Sequence, residues 1–268
     1  MTVTVAAVVD QARPAVVGHV DRIRSPNLVP VDLVAILREQ NVGLAFRHEG
    51  SGKHGLGFLI HEGSQTTVVV RRDPGRAGAL SARERFTIAH EIGHLVWDQR
   101  VGVPATGQRD YWLLESICNE FAGHLLVPTL LLQEQLGSCP EYPRDLIRLA
   151  RELTGRYGVS MPVMAKRLVD IEPNLLLAEI VLPTIASSRN LGRLSWIAQR
   201  GSWISINAGA QISEKETLAT LVFQHAVSKW GEVKETTLDN AADLALASMM
   251  LDSRLLIAGI AGGRTRGQ

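Results

Sequence analysis

Cysteine is scarce in this chain: its 268 residues hold only two, Cys118 and Cys139. Two thiols build neither a disulfide framework nor the four-thiolate site of a zinc ribbon. Net charge is nearly absent as well. Lys plus Arg number 28 against 27 Asp plus Glu, which leaves +1 with His neutral. A chain-wide basic surface for nucleic acid, or an acidic tail, would unbalance that sum. Apolar runs fall short of the roughly 18 residues that a membrane span needs. The longest stretch, Leu244 to Ala261, is broken by Asp252 and Arg254. The N-terminus has apolar residues but no basic segment before them, and Asp10 and Arg13 follow at once, so no secretory signal is expected. Internal repeats and low-complexity tracts are missing too. These absences lead to the expectation of a soluble cytoplasmic protein with no membrane partner.

What is present is an ordinary globular composition, 46% hydrophobic and 21% charged. A chain of this length can bury a large core without cross-links. Residues 1–30 read as an N-terminal extension, helix or loose arm. Val31 to Gln40 has helical spacing, and Val42 to Phe46 reads as a strand. Gly50 to Gly55 is a turn region. Leu56 to His61 and Thr66 to Arg71 read as a hairpin around Glu62-Gly63-Ser64. Ser81 and Glu84 form a capping box that opens a helix to about Trp97. Asp98 to Arg109 reads as an exposed connection, and Asp110 as the cap of a helix running from Tyr111 to about Val127. Pro128 starts another helix that ends at Gly137. Two more helices follow between Glu141 and Asp170, divided by Gly158-Val159-Ser160. Beyond Ile171 come three strand-like runs (Leu175 to Val181, Leu194 to Ala198, Trp203 to Asn207). A helix opened by Ser213 and Glu216 follows, and then another helix from Asp239.

The informative segment is Arg85 to Asp98, RFTIAHEIGHLVWD. Within it lies His90-Glu91-Ile92-Gly93-His94. Histidines at i and i+4 share one helix face, so both imidazoles can reach one metal ion. Glu91 stands beside the metal rather than on it, where it can take a proton from an activated water. With 8 His in the chain, chance places this pattern about 0.014 times. Ile88, Ala89, Ile92, Leu95 and Val96 make the helix apolar and hence buried. Two imidazoles and a carboxylate buried together need partners or a metal.

A catalytic zinc site needs a third protein ligand and one open position. A third histidine in the spacing His-x-x-Gly-x-x-His fails, because Trp97 and Arg100 occupy the required places. Glu115, on the next helix, is the favoured ligand. Glu120 and His124 are its rivals, although His124 lies nine residues on and so on the opposite helix face. Asn119 shares the face of Glu115 and can bond the outer nitrogen of a ligating imidazole. Tyr111, four residues before Glu115, is a candidate oxyanion stabiliser.

With these residues in place, the chain resembles the ImmA/IrrE family of zinc metallopeptidases. The resemblance rests on Arg85 to His94 (RFTIAHEIGH) and on Glu115 to Pro128 (ESICNEFAGHLLVP). The second segment is similar to the family form Glu-x-x-Ala-Asn-x-Phe-Ala-x-x-Leu-Leu-Met-Pro, with Cys118 for Ala and Val127 for Met. The resemblance implies an α+β fold with a zincin-like core: a small sheet, the His-Glu-x-x-His helix and a Glu-bearing helix. A helix-turn-helix-like segment and a small α/β C-terminal domain would follow. The expected divisions are 1–30, 31–137, 138–172 and 173–268, the last resembling a sensory, GAF-like region. The resemblance further implies zinc on His90, His94 and Glu115, with manganese or iron open as alternatives, and Glu91 as general base. The implied substrate is a protein, a helix-turn-helix repressor, cut in transcriptional or stress regulation.

Other features carry weaker expectations. The run Thr66 to Arg71 is expected to be an edge strand that aligns an extended substrate. Gly93 would permit a neighbouring helix to approach closely. Cys118 is read as buried and inert, and Cys139 suggests no role. Leu146 to Val169 has a helix-turn-helix cadence, but interspersed acids dilute its positive charge and DNA binding is not expected. The rival reading is a DNA-binding or interaction regulator whose metal site is structural or vestigial. Trp196, Trp203 and Trp230 are read as core. Oligomeric state is not legible.

Overall fold

The computed structural model describes residues 5–25, 28–48, 56–73, 78–138, 144–182, 192–200, 210–212, 233–238, 244–251 and 254–260. The chain has an α+β fold and divides into two compact units. One comprises Met1–Pro128 with Gly155–Ser160, the other Thr129–Thr154 with Met161–Gln268.

In the first unit, helices α1 (Val5–Val17), α2 (Val20–Ile23) and α3 (Leu33–Glu39) precede a three-stranded sheet. The α3 helix starts where expected, because the Asp32 carboxylate accepts from the Ala35 N–H. Strands β1 (Val42–His48), β2 (Gly57–Glu62) and β3 (Gln65–Arg72) lie in the order β1-β3-β2. The expected hairpin is present: β2 and β3 are antiparallel, Glu62 faces Gln65, and Gly63 supplies φ 60° in the two-residue turn. The expectation of an edge strand at Thr66 to Arg71 is overturned. β1 pairs in parallel with the other side of β3, so that run is the central strand, with Val68 and Val70 fully buried. Both sides of its backbone are engaged, and the strand left open on the hairpin side is β2.

Helices α4 (Ala82–Arg100) and α5 (Gln108–Leu126) pack together, and α4 lies against β2 and β3. The capping box forms: Ser81 Oγ accepts from the Glu84 N–H, and the Glu84 carboxylate accepts from the Ser81 N–H at 2.7 Å. Glu84 also holds Arg72 at 2.6 Å, and the Arg72 guanidinium lies over the Phe46 ring, so the start of α4 is fastened to the sheet. Two expected boundaries move. α4 continues through Asp98 to Arg100, and α5 begins at Gln108, capped by Gly107 rather than Asp110. Asp110 sits in the first turn, where the helix dipole favours an acid, and accepts from the Thr106 hydroxyl. Gly93 does what its size suggested. A Cβ there would lie 3.2 Å from the Cα of Cys118 and 3.2 Å from Phe121, so glycine sets the closeness of α4 and α5. Helix α1 covers both, and Arg13 pairs with Glu120 on α5.

In the second unit, α6 (Thr129–Gly137) and α8 (Met161–Ile171) pack together, and α8 also lies on the sheet. α7 (Arg144–Tyr157) ends before Gly158, whose φ is 62°. Arg167 is buried against Asp170 and the Thr129 hydroxyl, and Lys166 also pairs with Asp170. The strands β4 (Leu175–Val181), β5 (Gly192–Gln199), β6 (Gln211–Ile212), β7 (Val233–Leu238), β8 (Leu244–Leu251) and β9 (Arg254–Ile260) form an antiparallel sheet in the order β6-β5-β4-β9-β8-β7. The helix expected from Asp239 is therefore wrong over 244–251 and 254–260, which are paired strands. A short run apolar on both faces carries no period, and burial within a sheet decides it. The expected turn at Gly50 to Gly55, strand at Trp203 to Asn207 and helix at Ser213 lie outside the described residues, as do Cys139, Trp203 and Trp230.

Candidate metal centre

Helix α4 presents His90 and His94 from successive turns, as their spacing requires. Their Nε2 atoms are 3.1 Å apart. Glu115, on α5, reaches both: its Oε2 lies 3.3 Å from His90 Nε2 and its Oε1 lies 3.3 Å from His94 Nε2. One atom from each residue fits within a sphere of mutual distances below 4.8 Å. Neither rival to Glu115 joins them. Glu120 is held by Arg13, and His124 falls outside the cluster.

The donor set fits a divalent ion. Zinc–nitrogen bonds of about 2.0–2.1 Å in a tetrahedron place ligand atoms about 3.3 Å apart, the spacing seen among these three groups. The proton positions agree. His90 Nδ1–H donates to Asn119 Oδ1 at 2.9 Å, which leaves a lone pair on Nε2. That lone pair faces a carboxylate oxygen, and two acceptors in contact repel unless a cation or a proton lies between them. The titration behaviour has the same origin. Hydrogen bonds to His90 and His94 pull the Glu115 carboxyl down to about 2, against some opposition from burial. Burial lowers the pKa of His90, but the hydrogen bond and charge of Glu115, helped by Glu91 and Asn119, outweigh it and raise the net value.

Glu91 is only 7% exposed. Burial pushes its carboxyl above the usual range, and the two histidines counteract only part of that. It forms part of the wall of an open cleft of about 520 Å³, which His90, His94, Glu115, Asn119 and Tyr111 also line. Tyr111 is 48% exposed, and its pKa is raised by the charge of Glu115, by burial and by a hydrogen bond to that carboxylate. Cys118 is fully buried beside the site, and burial holds its thiol protonated.

Sequence reasoning missed the cleft's other wall. Leu56 to Leu59, at the start of β2, line it. The Arg71 N–H donates to Leu56 O at 2.8 Å, and Gly57 lies opposite Val70. The antiparallel alternation then turns the backbone groups of residues 56, 58 and 60 toward β3, and those of Gly57 and Leu59 toward the open side. Gly57 itself crosses α4 with no room to spare: a Cβ there would lie 2.4 Å from Thr87 Cγ2 and 3.0 Å from Glu91 Oε1. A glycine inside a strand pattern was the available signal.

An open cleft with two imidazoles and a carboxylate from crossing helices, a neighbouring buried glutamate and a small sheet defines a metallopeptidase-like fold. Residues 79–169 match the family model of peptidase M78, the IrrE N-terminal-like domain. Among solved structures, a Mycobacterium tuberculosis transcriptional regulator shares the fold with a TM-score of 0.56 at 10% identity, over 94% of this chain and 76% of the other. No curated protein matches the chain. Among the described residues, no helix is long and apolar enough to cross a membrane.

Proposed function

We propose that the first unit is a zinc-dependent endopeptidase and that its substrate is a regulatory protein, a helix-turn-helix repressor being the expected class. The observation that carries this reading is the convergence of His90, His94 and Glu115 next to a buried Glu91 in an open cleft. A purely structural site would have no use for Glu91. The M78 match supports the peptidase assignment, and the name of the solved neighbour fits a regulatory role. Zinc is the expected ion, although a His-His-Glu set also accepts manganese or iron.

His90, His94 and Glu115 would hold the ion, and Asn119 fixes the tautomer of His90. When bound, a divalent ion would lower the pKa of a coordinated water to about 7 and polarise a carbonyl. Glu91 serves as the base. Its raised pKa suits a group that takes a proton at neutral pH and then gives it to the leaving amine. The N–H and C=O groups of Gly57 and Leu59, unpaired among the described residues, align an extended backbone by strand addition. Tyr111, which lines the cleft and hydrogen-bonds the Glu115 carboxylate, is the candidate donor to a developing oxyanion.

The test is to load the full chain with zinc and incubate it, alongside Glu91→Gln, with purified repressors encoded nearby. Cleavage by the wild type, with zinc retained but cleavage lost in Glu91→Gln, is the expected result. Wild-type rates in Glu91→Gln would remove the base. A zinc-loaded chain that cuts nothing but binds operator DNA in a salt-dependent gel shift would favour a regulator with a structural ion.

A further inference from the structure

We propose that Asp98 selects substrates carrying a basic side chain, Arg or Lys, within about two residues of the scissile bond. The inference rests on the peptidase reading above and names the substrate class of the same cleft.

Three carboxylates line the cleft, Glu91, Asp98 and Glu115, and among the described residues no lysine or arginine lines it. Two of the three are committed. Glu115 spans both imidazoles, and Glu91 is buried beside them. Asp98 differs. It is exposed, and its carboxylate has no hydrogen-bond or ion-pair partner among the described residues. It stands on α4 one turn beyond His94, so it shares the helix face that carries the two histidines.

Distance limits what it can meet. Four residues of helix rise about 6 Å, and an extended chain advances about 3.3 Å per residue. A peptide laid along Gly57 and Leu59, with its scissile bond at the histidines, therefore brings a side chain one or two positions away to Asp98. Tyr111 also lines the cleft. Aromatic faces hold the aliphatic stem of Arg or Lys, and favour the cationic head itself. A carboxylate without a partner among the described residues, in a cleft that also holds an aromatic ring, is the chemistry that receives such a head. The same carboxylate repels Asp or Glu at that position.

The test uses the zinc-loaded full chain in the Glu91→Gln background, so that peptides bind without being cut. The probes are synthetic peptides of one sequence in which a single scanned position is Arg, Lys, Ala or Glu. At one or two adjacent positions the Arg and Lys peptides should bind roughly tenfold more tightly than the Ala peptide. Adding Asp98→Asn should bring that ratio close to one, and Asp98→Lys should turn the preference toward Glu. Bound zinc, measured on each variant, confirms that the metal site is intact. Cleavage of the same peptides is then followed with Glu91 restored. A basic preference that depends on Asp98, without any cleavage, supports Asp98 as the carboxylate that docks a basic side chain in the cleft and overturns the peptidase reading. Cleavage with no basic preference, or a preference that survives Asp98→Asn, overturns the proposal and leaves the peptidase reading standing. Absence of both binding and cleavage overturns both.

Discussion

Replacing Gly57 with alanine adds one methyl group to an edge strand, where such a change ordinarily costs nothing. Here it should matter. The new Cβ would start 2.4 Å from Thr87 Cγ2 and 3.0 Å from Glu91 Oε1. Carbon atoms rest at about 3.5–4.0 Å, so either β2 or the two side chains must move by about 1 Å. Thr87 is buried and β-branched and cannot swing away cheaply. Overpacking of this kind costs about 1–3 kcal/mol, or roughly 3–10 °C in Tm. Activity should suffer more than stability, because a displacement of about 1 Å at a base can cost on the order of 100-fold in rate. Thr87→Ser removes the closest atom, so Gly57→Ala/Thr87→Ser should recover part of the lost Tm. Thermal melts of the zinc-loaded chain and kcat/KM on a cleaved substrate would be measured for the four proteins of that cycle. Gly57→Ala with wild-type Tm and wild-type turnover would refute the claim that the missing Cβ lets the edge strand lie against Glu91.

Asn119→Ala removes the acceptor that orients His90, and zinc should bind about 10–100-fold more weakly in competition with a chromophoric chelator, while the fold is retained. In the metal-free chain Glu115 has its carboxyl lowered from 4.5 to about 2. Its stabilisation is therefore complete above pH 4.5 and is lost as pH falls toward 2. Glu115→Gln should flatten that acid limb in urea midpoints measured against pH, and an unchanged limb would contradict the assignment. Gly93→Ala forces α4 and α5 apart against the Cys118 backbone and should lower the stability by about 1–3 kcal/mol, with zinc affinity falling too because the ligands are divided between those helices. Gly155→Ala, where a Cβ meets nothing within 4 Å, is the control and should stabilise α7 by up to about 1 kcal/mol.

Local chemistry was legible in the sequence wherever the partners lie within one element. His90 and His94 share a face because a helix turns every 3.6 residues, and the Ser81–Glu84 box marks the start of that helix without help from the rest of the chain. The hairpin turn at Gly63 was legible for the same reason. Glu115 was a different matter. It stands on another helix, and only the close approach that Gly93 permits brings its carboxylate within 3.3 Å of both imidazoles. Which strand is the edge also lay beyond the sequence. Thr66–Arg71 and Leu56–His61 look alike as strands, and it is the parallel insertion of β1 beside β3, a non-local pairing, that leaves β2 open. Strands stand over 244–251 and 254–260 in place of the expected helix because a run apolar on both faces has no period, and its partners in the sheet supply the hydrogen bonds that settle it. The chain thus states its metal-binding residue types and their spacing along one helix. Assembly alone decides what stands across the cleft from them, because that depends on contacts between segments far apart in sequence.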